Sequence, residues 1–330
     1  MIGSSKIGLR PIRGGGGGAA PNPDFVSTWD TTQAGSASDT IVLPMTAGLT
    51  VHWGDGNSDT TNTHTYASSG TYTVTIEGAV TTFRFNNSGD RRKITDVSNW
   101  GGFDISNNRI FLGCSNLDIS ATDYPTITSS TLEWTFRDCT SLTTPDFNSW
   151  DTSSVTNMYG MFNSCSSFNG YLDSWDVGNV QYFGINQNFR GMFNGCSVFN
   201  QPIGSWDLSS AIRTDKMLAN CSAFNQPIPF NTSNVTGATQ MLYFCSSFDQ
   251  DISSWDVNQI SFFGGNFMTG TTLSTANYDA LLIGWDAQGA MANSSTMNFG
   301  SAQYTSGGAA ETARTSLIAK WGGIVDGGAA

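Results

Sequence analysis

Residues 192–207 read MFNGCSVFNQPIGSWD, and the same frame returns at 161–176 as MFNSCSSFNGYLDSWD, at 217–231 as MLANCSAFNQPIPFN and at 241–256 as MLYFCSSFDQDISSWD. An apolar pair precedes each cysteine, an aromatic residue follows it by three, and a Trp-Asp pair closes the unit. Cys114, Cys139, Cys165, Cys196, Cys221 and Cys245 are separated by 25, 26, 31, 25 and 24 residues. A fixed period of this length predicts units that cannot each bury an apolar face alone and must stack to do so. The long interval is local: Val155 to Phe162 spans eight residues and the equivalent Val180 to Phe193 spans fourteen, an insertion of six.

Residues at one repeat position form an internal column in such a stack. The six cysteines are therefore expected as small buried hydrophobes with free thiols, in preference to disulfides between neighbouring turns. Trp150, Trp175, Trp206 and Trp255, with Trp285 more distantly, are expected in the core rather than stacked on a ligand. One unit departs, with Phe230-Asn231 in place of Trp-Asp. Aromatic residues off the frame are better ligand candidates. These are Tyr159, Tyr171, Tyr182, Phe183 and Tyr243, with Arg190 a rare cation beside them; Tyr182 and Phe183 are assigned to the insertion, where loops would expose them.

Before the repeats the pattern is different. Ile41–Leu43, Leu49–Trp53, Tyr72–Ile76 and Thr82–Phe85 are Thr- and Val-rich runs of period two bounded by Gly, Asp and Asn, which predicts short antiparallel strands of a β-sandwich. Asp55-Gly56-Asn57-Ser58-Asp59 alternates oxygen ligands like a calcium loop, but Tyr66 stands where the bidentate Glu would be, so a turn held by Asp55 is favoured and no cofactor is expected. Gly14–Gly18 is an unbroken glycine run that reads as a linker, and Lys6, Arg10 and Arg13 before it form a basic arm. The organisation expected is arm and linker at 1–23, sandwich at 24–88, repeats at 89–270 and a capping segment with helical content at 271–330.

The net charge is −12, carried almost wholly by Asp, since Glu occurs only at Glu77, Glu133 and Glu311. Nucleic acid and anionic membrane surfaces are poor partners for such a body. No apolar run is long enough to span a membrane, and the first 25 residues lack the apolar core of a signal peptide. Catalysis finds little support. Both histidines, His52 and His64, precede the repeats, so no Ser-His-Asp or Cys-His dyad can form there, and no CxxC pair points to zinc. Asp151, Asp176, Asp207, Asp256 and, more distantly, Asp286 recur at the Trp-Asp position, where a turn role explains them without paired catalytic carboxylates.

Trp53-Gly54-Asp55-Gly56, with His64-Thr65-Tyr66 and Gly70-Thr71-Tyr72-Thr73-Val74, resembles the polycystic-kidney-disease (PKD) type of immunoglobulin-like domain over about 60 residues. The repeats, of the form MFxxCxxFNQPIxxWDxSxVTxM from about 91 to 300, closely resemble the BspA-like leucine-rich repeats of bacterial surface proteins and phage proteins. That resemblance implies a mainly β protein, a small sandwich followed by a solenoid with a partly helical cap, displayed outside the cell and not an enzyme. The expected role is a phage virion surface protein, a head decoration or tail fibre, docked on other virion proteins through Lys6, Arg10 and Arg13. Its solenoid would hold a host-surface glycan or protein. The alternative is a bacterial cell-surface adhesin. Head or tail location, the ligand and homo-oligomerisation are left open.

Overall fold

The computed structural model describes residues 23–185, 190–289 and 296–330. The protein is mainly β, its sheets are small, and none closes into a barrel. The arm residues Lys6, Arg10 and Arg13 lie outside the described residues. β1 (Phe25–Asp30) alternates buried with half-buried positions; Ser27 can face the core because its Oγ accepts the Trp29 Nε1–H at 2.9 Å. Then come β2 (Thr40–Val42), β3 (Val51–His52), β4 (Ser58–Asp59), β5 (Thr63–Thr65) and β6 (Thr71–Ile76). β1 and β6 pair antiparallel with Phe25 opposite Ile76, β3 lies on the far side of β6 and carries β4, and β2 pairs with β5 in a separate ribbon.

The turn after β3 is held as its composition demands. Gly54 has φ +82°, and a Cβ there would stand 2.4 Å from the Thr73 carbonyl oxygen. Asp55 accepts the Asn57 amide at 3.0 Å and lies 2.9 Å from His64 Nε2, and the His64 ring stacks on Trp53 at 5.0 Å. Partial burial opposes ionisation of Asp55, but the bonds from His64 and Asn57 outweigh it and bring its pKa down to about 2.

Thr82–Phe85, expected as a strand, is not one. Its backbone instead begins the stack. The Phe85 amide donates to the Ile110 carbonyl, and Phe83 and Phe85 turn their rings onto Phe103 and Phe111. β7 (Ile94–Asn99), β8 (Asp104–Ile105), β9 (Asp118–Ile119) and β10 (Thr126–Ile127) follow. β7 pairs antiparallel with β1 and parallel with β9, so a single sheet of order β4-β3-β6-β1-β7-β9 runs straight across residue 88. A buried clasp reinforces that crossing. Lys93 Nζ donates to the carbonyls of Ser36, Ala37 and Thr40 at 2.7–3.1 Å, and Asp90 accepts the amides of Ser36 and Val42.

From β8 onward pairing is parallel between successive units: β8 with β10, Thr131 with Asn157, Asn157 with Tyr182. β11 (Tyr182–Ile185), β12 (Arg190–Gly191) and β13 (Arg213–Thr214) form a sheet of order β12-β11-β13, and the parallel bridges continue through Gly237 to Phe262. In most units the chain turns through two left-handed residues set two before and two after a core residue. Arg109 and Gly113 flank Phe111, Trp134 and Asp138 flank Phe136, Gly160 and Ser164 flank Phe162, and Lys216 and Asn220 flank Leu218.

Three side-chain ladders tie each unit to the one before. The thiols of Cys139, Cys165, Cys196, Cys221 and Cys245 donate to the carbonyls of Phe111, Phe136, Phe162, Phe193 and Leu218 at 2.9–3.2 Å. Thr271 takes the next place, its hydroxyl donating to Leu242 O at 2.6 Å. Trp175, Trp206, Trp255 and Trp285 send indole N–H bonds to Phe147, Leu172, Ile228 and Ile252 carbonyls. Asn169, Asn200, Asn225 and Asp249 each accept the amide of the equivalent residue one unit on. Between them run stacked rings: Phe111, Phe136, Phe162 and Phe193 are 5.5–5.7 Å apart and within 5° of parallel. All six cysteines are buried with free thiols, and burial raises their pKa, that of Cys245 to about 12.

α1 (Thr275–Asp286) opens on Ser274, whose side chain accepts the Asn277 amide, and Trp285 carries the indole ladder into the helix. β14 (Met297–Asn298) pairs parallel with β15 (Ile324–Val325), and α2 (Ala309–Trp321), ended by Gly322 at φ +84°, packs on α1. Arg314 forks onto Asp326 at 2.7 and 3.0 Å, and Tyr278 donates to the same carboxylate at 2.7 Å. Burial opposes ionisation of Asp326, yet the bonds from Arg314 and Tyr278 hold its pKa below the ordinary 3.8.

Two outcomes follow from these contacts. Cys196→Asp, which places a charge in the thiol column, is expected to destabilise by more than about 4 kcal/mol. Cys196→Ser should cost only about 1 kcal/mol, since Thr271 shows that a hydroxyl makes the same bond. Chemical denaturation of both variants checks this, and equal losses would contradict it. Because the folded pKa of Asp326 is depressed, its contribution is present above the unfolded value and is lost as pH falls through the folded one. Asp326→Asn should therefore lower stability by about 3 kcal/mol near neutrality, and the gap to the unsubstituted protein should hold down to about pH 5 and close as pH falls through about 4 and below.

Candidate functional site

The left-handed residue ahead of each core phenylalanine lies along one edge of the stack. Gly160 and Gly264 occupy this place without steric cost, but Arg109, Trp134, Lys216 and Gln240 occupy it too. A left-handed backbone costs a side-chain-bearing residue about 1–2 kcal/mol, so Trp134 at φ +56° needs a compensating contact. It has one on either side. The Arg109 guanidinium carbon lies 4.2 Å from its ring centroid and that of Arg190 lies 4.1 Å away, with Arg137 at 5.2 Å. Gly160 makes the room, because a Cβ there would stand 2.8 Å from Trp134 Cδ1.

Three arginines thus gather on one indole in a chain of net charge −12. Glu133 answers Arg109 at 3.3 Å and Asp138 answers Arg137 at 3.3 Å. Beside this group a hollow of about 280 Å³ is lined by Glu133, Asn157, Tyr159, Tyr182 and Ile185. Burial pushes the Tyr159 phenol above its usual pKa, against the pull of Arg190. Further along the edge, Lys216 and Tyr243 share a second hollow of about 200 Å³ with Asn194, Asn220 and Gln240, and burial lowers the Lys216 pKa.

Of the residues singled out from sequence, Tyr159, Tyr182 and Arg190 come together here, Tyr243 lines the neighbouring hollow, and Tyr171 is 48% exposed at the Asp146 bridge, lining neither hollow. Phe183 is corrected. It is fully buried, 6.0 Å from Trp206, because Tyr182 and Phe183 hold the places of Asn157 and Met158 in the preceding unit. The Met192 amide donates to the Phe183 carbonyl, so the extra residues leave the frame only after Phe183. Arg109, Trp134 and Arg137 were missed. Their one signal was that Trp134 is a tryptophan outside the Trp-Asp frame.

The Trp-Asp pairs lie elsewhere in each unit. Asp151, Asp176, Asp207 and Asp256 each accept the amide two residues on at 2.9–3.1 Å, and Asn231 does the same at 3.2 Å in the unit that lacks Trp-Asp. These carboxylates hold turns. Among the described residues no group of three or more His, Cys, Asp or Glu is placed to hold a metal ion.

Parallel in-register units joined by side-chain ladders define a repeat protein with a cation–aromatic edge. The family described as "Mycoplasma protein of unknown function, DUF285" matches residues 81–186 and again 185–285, and the chain belongs to this BspA-like repeat family. No curated protein and no solved structure matches it. The first match begins at 81, close to where Phe85 joins the ring stack.

Phe183→Ala should destabilise by about 3–5 kcal/mol, whereas Tyr182→Ala should stay within about 1 kcal/mol. Thermal melts of the two variants measure this, and equal losses would return Tyr182 to the core.

Proposed function

We propose that the protein is a non-enzymatic adhesin displayed at a bacterial cell surface, its repeats forming a solenoid between a PKD/Ig-like sandwich and a partly helical cap. The Arg109-Trp134-Arg190 stack carries this reading. Guanidinium groups held against an indole keep their planes fixed, an arrangement suited to a partner bearing carboxylate or sulfate groups, whether on a surface protein or a glycan. Tyr159 and Tyr182 add rigid aromatic area next to it. Family membership supports surface display, and no described helix is long and apolar enough to cross a membrane. The phage-virion reading depends on Lys6, Arg10 and Arg13, outside the described residues, and draws no support from the family match.

Protease added to intact cells should remove the protein from the surface. Arg190→Ala and Tyr182→Ala should each weaken cell or matrix binding about tenfold or more with the protein still folded, the melting temperature falling by no more than the loss of about 1–2 kcal/mol predicts. Retained binding in both variants would refute this edge as the adhesive surface.

A further inference from the structure

A second concavity, sharing no residue with the cation–aromatic edge, lies across two successive Trp-Asp turns. It is about 840 Å³ and is lined by Tyr124, Asn148, Trp150, Asp151, Ser174 and Asp176, among others. That volume falls in the range of small-molecule sites, about 300–1,000 Å³. Tyr124 is 58% exposed and presents an aromatic ring, and the rest of the wall is hydroxyl, amide and carboxylate.

Trp150 is decisive. It heads the indole column, and no Trp-Asp pair stands in the unit before it. Trp175, Trp206, Trp255 and Trp285 each donate their Nε1–H to a carbonyl one unit back, but the Nε1–H of Trp150, a residue only 4% exposed, donates to no group among the described residues. It is also absent from the wholly enclosed polar atoms, so it retains access to the concavity it lines. A nearly buried indole donor open on one side is met only by solvent or by an acceptor from outside the chain.

We propose that this groove binds an uncharged saccharide. The acceptor for Trp150 excludes an ammonium ligand, which can only donate. The carboxylates of Asp151 and Asp176 disfavour an anion, and no Lys or Arg lines the wall. A sugar hydroxyl satisfies both demands, accepting from Trp150 and donating to Asp176, whose Oδ1 is engaged with the Gly178 amide. The apolar face of a pyranose covers the Tyr124 ring.

The test is titration of the full chain with maltotriose, cellotriose and lactose, followed by saturation-transfer NMR. At least one should bind with a dissociation constant below about 10 mM. Tyr124→Ala and Trp150→Phe should each weaken it about tenfold. Phe230 in the same column shows that a phenyl ring fits the stack, and Tyr124→Ala removes an exposed ring, so it decides the matter even if Trp150→Phe misfolds. Failure of all three sugars to bind, unchanged affinity in Tyr124→Ala, or displacement of the sugar by spermidine would overturn the proposal.

Discussion

A carbonyl buried in an irregular turn must find a donor, and water cannot reach it. Most of each unit is irregular, with isolated bridges in place of long strands, so each interior carbonyl of the Cys and Trp columns is held inside its own turn by a nearby amide, as Phe136 O is by Cys139 N and Leu172 O by Trp175 N. Side chains of the next unit use the remaining acceptor capacity of the same carbonyls. The thiol and the indole N–H each donate to the equivalent carbonyl one unit back, and the Asn side-chain oxygen accepts the backbone amide of the equivalent residue one unit on. This explains why the recurring residues are so few in type. It also explains the exceptions: Thr271 replaces a thiol with another short donor, and Asn231 replaces Asp with another short acceptor.

The period, the columns and the buried state of the Trp and Cys positions were legible in the sequence because the constraint acts at fixed spacing. The left-handed corners were not. Glycine usually signals such a backbone, but here Arg109, Trp134, Lys216, Gln240 and Phe244 adopt it, and at Trp134 the cost is offset by stacking on Arg109 and Arg190 that no local reading detects. The placement of Phe183 failed for a related reason. Six extra residues between two frame positions do not say at which end they leave the frame; the bridge from Asn157 to Tyr182 fixes it. Thr82–Phe85 has the alternation of a strand, yet its partner is the next turn of the stack rather than a sheet neighbour.

Charge follows the same geometry. Asp at the turn after each Trp is committed to a backbone amide, so negative charge is distributed in a column by folding requirements alone. Cations are free of that requirement, and Arg109, Arg137 and Arg190 collect on one indole instead. A patch of the minority sign on an acidic body is therefore a departure from what the fold demands, which gives it more weight as a recognition surface than the far more numerous carboxylates.

The ladders also have a direction. Around the core rings the backbone N–H groups point forward, as from Phe111 to Thr135 and from Phe136 to Met161, while thiol and indole donors point back toward the preceding unit. A column of donors pointing back must end on a first member with no hydrogen-bonded carbonyl behind it; Trp150 instead meets the Trp100 ring edge to face at 5.5 Å. Within the columns the thiols from Cys139 to Cys245 and the indoles of Trp175, Trp206, Trp255 and Trp285 are matched, so these donors can turn outward only where the pattern starts, stops or is interrupted. Trp150 at the head of the indole column and Trp134 at a corner that Gly160 holds in the next unit are two such places, and each lies beside a concavity or a charged edge. The rule that makes the interior uniform thus determines where the surface can differ.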